Sequence, residues 1–203
     1  MSDSVVVPGP RDVRASLDAP TDATDHAVVA CPPHPQMGGS RSDSRLQAVG
    51  EALVEQGVAC LRFDYGPWDE GAGEVVDCGR ALDWARERFD RVSLFGYSFG
   101  GAVALLAAAR ADPTPERVAV LSPAADLGTD RESAAALEDI DCPVQVVYGE
   151  RDTTVDWEPT VERAAALGHD TVGVPADHFY VGQVDRVADL AASFLATGTS
   201  TEF

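Results

Sequence analysis

The chain contains no lysine, so all 15 of its strong cations are arginine, against 34 aspartates and glutamates and a net charge of −19. A nucleic-acid binder needs a basic footprint, and that class is excluded. The acids are spread along the whole sequence rather than gathered in a tail. This pattern fits a surface adapted to a salty cytoplasm, where counterions screen it, better than a patch made for a basic partner. No run approaches the roughly 18 apolar residues of a membrane span. The opening MSDSVVVPGPRD has neither a basic stretch nor a long apolar one, so it does not read as a secretory signal, and a cytoplasmic location is expected. The four cysteines, Cys31, Cys60, Cys78 and Cys142, lack metal-ligand spacing and read as buried reduced thiols. No metal or cofactor is expected: no phosphate-binding glycine loop opens the first strand–helix unit.

What is present is a 45% hydrophobic chain of 203 residues, enough for one domain with a substantial core. Short apolar runs alternate with helical patterns, the mark of a mainly parallel sheet covered by helices. Val5–Val7 and Val13–Leu17 suit an opening antiparallel pair. HAVVAC at His26–Cys31, Val58–Phe63, Arg91–Phe95, Val118–Leu121, Val144–Tyr148 and Thr171–Val174 read as further strands. Helices are expected over Ser42–Gln56, Val75–Phe89, Phe99–Arg110, Glu158–Leu167 and Val184–Leu195, each with apolar residues at helical spacing. No repeat or linker divides the chain, so residues 1–203 form a single domain, with a frayed tail over 197–203.

The motif that carries chemistry is Gly96-Tyr97-Ser98-Phe99-Gly100, a G-x-S-x-G elbow directly after the strand RVSLF and directly before an alanine-rich helix. A serine hydroxyl is a poor nucleophile unless it is exposed beside a base. A tight strand-to-helix turn lifts it above the sheet, and crowding in that turn demands small residues on either side. The pattern implies an α/β-hydrolase fold with a mainly parallel sheet of about seven or eight strands. Its acid and histidine follow the nucleophile in chain order. Only His169 and His178 follow Ser98, and His178, in PADHFY after the last strand, is the expected base. Asp152, just past VQVVY, is the expected acid, with Asp126 after the preceding strand as runner-up. The Pro/Gly-rich loop after HAVVAC should supply one oxyanion donor. Pro35 has no N–H, so Gln36, or else Met37, is expected to give it, with the Phe99 N–H as the other.

The segments PHPQMGGS, CLRFDYGPWDEGAGE, LFGYSFGGAVA, GERDTTV and ADHFY recur in that order in small, cap-free α/β-hydrolases related to the dienelactone hydrolases, and the chain resembles that family from about Val5 onward. The resemblance implies a triad of Ser98, Asp152 and His178, with His34 and Gln36 in the oxyanion loop and His34 anchoring it by hydrogen bonds. Dienelactone hydrolases proper carry a cysteine nucleophile, whereas this chain has Ser98. Its loop at Asp64–Gly73 is also shorter than usual there.

Only about twenty residues separate Leu121 from Val144, room for a loop and a short helix but not a cap domain. The site is therefore expected to be open, with Tyr65, Trp68, Phe99, Trp157, Phe179 and Tyr180 as candidate lining. The expected activity is hydrolysis of small-molecule carboxylic esters through an acyl-enzyme. A thioesterase or acyltransferase on the same triad, or a non-catalytic interaction module, are the alternatives. The sequence leaves the oligomeric state open.

Overall fold

The computed structural model describes residues 2–128 and 132–199. Eight strands form one sheet: β1 (Ser2–Val7), β2 (Val13–Asp18), β3 (His26–Cys31), β4 (Ala59–Asp64), β5 (Arg91–Tyr97), β6 (Val118–Leu121), β7 (Val144–Gly149) and β8 (Asp170–Val174). Their order is β1-β2-β4-β3-β5-β6-β7-β8. The hairpin β1–β2 is antiparallel and joins β4 antiparallel, while β4, β3 and β5 to β8 run parallel. The central strands are apolar at nearly every position because both faces are covered: all six residues of β3 and all four of β6 are buried.

One face of the sheet carries α1 (Ser44–Glu55) and α6 (Val184–Thr197), packed over Val28, Phe95, Leu121 and Val147. The other carries α2 (Ala72–Arg86), α3 (Phe99–Ala108), the short α4 (Ser133–Ala136) and α5 (Glu158–Ala166), packed over Val29, Leu94, Val120 and Val146. Alternate residues of each strand thus feed opposite cores, as the two-residue period of a strand dictates. The chain steps to one side of β3 to form β4 and to the other side to form β5. The carboxyl ends of β3 and β5 therefore flank the crevice where such sheets bind ligands. Among the described residues no cap covers it.

Several boundaries expected from the sequence shift. Helix α2 begins three residues earlier than the apolar pattern shows, because Glu74 folds back and accepts the Gly71 N–H at 2.8 Å. Strand β5 runs two residues further, up to the elbow itself. Helix α6 continues through Thr197, the first residue of the expected tail, and is closed by Gly198, whose left-handed conformation directs its N–H to the Phe194 carbonyl. Residues 200–203 lie outside the described residues. All four cysteines are free and buried. Burial pushes the Cys60 thiol up to about 12 and Cys142 up to about 11. Among the described residues, no helix is long and apolar enough to cross a membrane. Nor are three or more His, Cys, Asp or Glu placed to hold a metal.

Candidate active site

Strand β5 delivers its last residue, Tyr97, into a turn so tight that Ser98 takes φ 57°, ψ −122° before α3 starts. Such a backbone is costly for a non-glycine residue and points to a functional role. The glycines explain how the turn closes. A Cβ on Gly96 would lie 2.2 Å from the Gly100 carbonyl oxygen, and one on Gly100 would lie 2.3 Å from that of Cys31. Neither position admits a side chain. The Ser98 N–H donates to the Leu121 carbonyl at 2.9 Å, fixing the elbow to β6.

Three sequence-predicted residues come together here. His178 Nε2 lies 3.0 Å from Ser98 Oγ, and His178 Nδ1 lies 2.7 Å from Asp152 Oδ2. The Asp152 side chain is fully buried. Its other oxygen accepts the Thr154 N–H at 2.9 Å and the Val155 N–H at 3.4 Å. The carboxylate is thus aimed by its own loop before the histidine arrives. The His178 loop is held from beneath by two tyrosines. Tyr97 donates to the His178 carbonyl at 3.0 Å, and the fully buried Tyr180 shares a 2.8 Å hydrogen bond with Ser122 and reaches the Val147 carbonyl at 3.3 Å. Burial drives both phenols well above their ordinary pKa, so they remain neutral donors.

Asp126, the runner-up acid, does not join this chain. Its carboxylate accepts the Gly128 N–H at 2.8 Å, its backbone bridges to Glu132, and it lies on the cavity wall. The oxyanion loop also departs from expectation. Pro35–Met37 form a turn of 3₁₀ helix capped by His34, whose Nδ1 accepts the Gln36 N–H at 3.2 Å. Gln36 is exposed and its N–H is spent on that cap, so it does not face the site. The His34 ring makes that cap and packs against Trp68 and Phe99 at 4.6 and 4.8 Å. Burial holds its imidazole below the ordinary pKa, which suits a neutral ring accepting at Nδ1.

The cavity over Ser98 has a volume of about 500 Å³. Of the six candidate aromatics, Trp68, Phe99 and Phe179 line it. Tyr65 turns inward and donates to the Pro32 carbonyl at 3.1 Å, Trp157 stacks on Tyr148, and Tyr180 is consumed in its anchor. Sequence reasoning missed Arg45 and Asp43. Asp43 caps α1, Arg45 lies over the Tyr97 ring at 4.6 Å, and the two side chains pair at 2.5 Å on the cavity wall. The D-x-R spacing at a helix start was a signal for the cap but not for the cavity.

A sequence model of the dienelactone hydrolase family matches residues 68–174, just over half of the chain, including Ser98 and Asp152 and ending just before His178. The chain belongs to the dienelactone hydrolase family. It is a hydrolase by that membership. An uncharacterized protein of Rickettsia prowazekii is 24% identical over 185 residues, covering 81% of this chain and 76% of its own. Among solved structures, a lidless α/β serine hydrolase from Xanthomonas campestris superposes with a TM-score of 0.80 at 23% identity, over 100% of this chain and 96% of that one. An esterase from Pyrococcus furiosus superposes with a TM-score of 0.80 at 18% identity, over 96% and 90%. At these identities the superpositions establish the shared fold.

Proposed function

We propose that this hydrolase cleaves carboxylic esters through an acyl-enzyme on Ser98. The observation that carries the reading is the unbroken hydrogen-bond chain from Ser98 Oγ through His178 to Asp152. With Nδ1–H donated to the carboxylate, His178 presents a bare Nε2 to the serine hydroxyl. Ser98 Oγ attacks the ester carbonyl carbon as its proton passes to Nε2. The resulting imidazolium, stabilised by Asp152, returns the proton to the leaving alcohol. Water then attacks the acyl-enzyme by the same route, and Ser98 is released with the carboxylic acid product.

The oxyanion needs donors fixed in advance. The Phe99 N–H stands at the first position of α3, where no carbonyl four residues back lies within the helix to take it. For the second donor we assign the His34 N–H in place of Gln36. Among the described residues no hydrogen bond uses it, and His34 lies on the cavity wall. The walls supplied by Met37, Trp68, Phe99 and Leu127 favour a substrate with apolar groups beside the ester, and the similarity in fold to an esterase supports the ester reading. The test is a fluorophosphonate probe with an ester panel. Ser98→Ala should abolish labelling and reduce hydrolysis at least ~10³-fold with an unchanged melting temperature. Labelling that persists at another serine would overturn the assignment.

A further inference from the structure

Trp68 contacts both segments that flank the proposed oxyanion site, with its ring 4.6 Å from that of His34 and 5.7 Å from that of Phe99. It stands on the β4–α2 connection, residues 65–71, which has no regular structure of its own to hold it. What holds this loop is a set of charged side chains outside it. Two fully buried carboxylates of α2 take its N–H groups. Glu74 accepts from Asp69 at 3.0 Å and Gly71 at 2.8 Å, and Asp77 accepts from Gly66 at 2.9 Å.

Two buried anions on one helix turn need cations. One is Arg80, 3.8 Å from Asp77. The other is Arg11, which comes from the β1–β2 turn, far off in sequence. Its Nε donates to both Asp77 oxygens at 2.8 and 2.9 Å, and an Nη donates to the Pro67 carbonyl. It also lies 3.7 Å from Glu74 and 3.9 Å from Asp69. Arg11 therefore grips the residue before Trp68 directly and the residue after it by charge. The guanidinium is seated flat on the first turn of α2, where a Cβ on Gly73 would lie 2.4 Å from its central carbon. The position fits one planar, multi-donor group and leaves it no slack.

We propose that Arg11 is a positioning residue for Trp68, so that the N-terminal hairpin, which places no group in the cavity, sets selectivity for esters whose aryl group packs on that indole. The proposal rests on the ester reading above and deepens it. Lysine in place of Arg11 keeps a cation near Asp77 but cannot also hold the Pro67 carbonyl. Glutamine removes the charge.

The test compares methyl acetate with methyl phenylacetate and benzyl acetate, which carry the ring on the acyl and on the alcohol side. Arg11→Lys and Arg11→Gln should raise KM at least tenfold for one of the aryl esters while leaving kcat for methyl acetate within twofold. In parallel, the Trp68 indole N–H resonance, identified by its loss in Trp68→Phe, should shift or broaden in both Arg11 variants. It should stay in place in Arg14→Gln, which removes an exposed arginine of the same hairpin. An equal loss of kcat on all three esters, an unmoved Trp68 resonance, or unfolding of both variants would make Arg11 a general stabiliser and overturn the proposal. Should the wild-type protein hydrolyse none of the three esters, the ester reading fails by itself. The indole resonance then still decides whether Arg11 positions Trp68.

Discussion

Replacing Asp152 by asparagine tests the proposed chemistry with almost no change of shape. The side chain is fully buried, and one of its oxygens accepts the Thr154 and Val155 N–H groups. In Asp152→Asn the amide oxygen keeps those two donors, because turning the NH₂ toward them would set donor against donor. The NH₂ group must then face His178 Nδ1, 2.7 Å away. Nδ1 becomes an acceptor and the ring proton moves to Nε2, which now points a hydrogen at Ser98 Oγ instead of a lone pair. The base is lost although every heavy atom stays in place, and the imidazolium loses its counter-charge. The expected loss is ~10⁴-fold in kcat, equivalent to about 5.4 kcal/mol of barrier. Asp126→Asn leaves this chain intact and should cost less than about threefold, since a carboxamide oxygen still accepts the Gly128 N–H. Initial-rate kinetics on one ester, with circular dichroism to confirm folding, checks both. Equal losses in the two variants, or an Asp152→Asn enzyme within tenfold of wild type, would refute the reasoning.

Three further outcomes follow from other parts of the molecule. Tyr180→Phe leaves the Ser122 hydroxyl and the Val147 carbonyl short of a buried partner, which should cost about 1–3 kcal/mol of stability by urea unfolding and loosen the His178 loop. Stability should fall as pH drops through about 6.5. His26 is 2% exposed with an unpartnered Nδ1, and burial, with Arg91 adding to it, holds its pKa below the ordinary 6.5, as burial does for His34 and His169. The unfolded chain takes up these protons first, so the loss runs from pH ~7 downward. A urea midpoint equal at pH 7.5 and 5.0, or a drop undiminished in His26→Gln, would contradict this. Finally, the melting temperature should rise with sodium chloride, steeply up to about 1 M as the screening length falls from about 10 to about 3 Å, because −19 net charges repel one another. A flat response between 0.05 and 2 M would favour a basic partner instead.

The elements that could be read from the sequence are those with strong periodicity and covered faces. HAVVAC is β3 to the residue, and VAVL is β6. The elbow was legible because its chemistry constrains five consecutive residues. Chain order left His169 and His178, and the place of His178 past the last strand chose between them. What could not be read depends on where side chains turn after the backbone is set. Gln36 looked like an oxyanion donor by elimination of Pro35, yet the His34 ring bends back and takes its N–H, a local contact with no sequence period. Tyr180 looked like pocket lining, but its φ of 53° sends the ring inward to Ser122. The roles of Arg11 and Arg45 depend on contacts the linear pattern does not encode: Arg11 reaches Asp77, 66 residues away.

The lidless mouth also decides the fate of the proposed intermediate. Closing an active site excludes water and protects reactive species from hydrolysis. Here the acyl group on Ser98 would face the full concentration of bulk solvent from the moment the first alcohol departs. An acceptor alcohol could win that competition only if it were held in place while water was not. Product partition is thus governed by how long an acceptor resides at the mouth, and grafting a lid over the Leu121–Val144 connection would be the direct route from a hydrolase to a transferase.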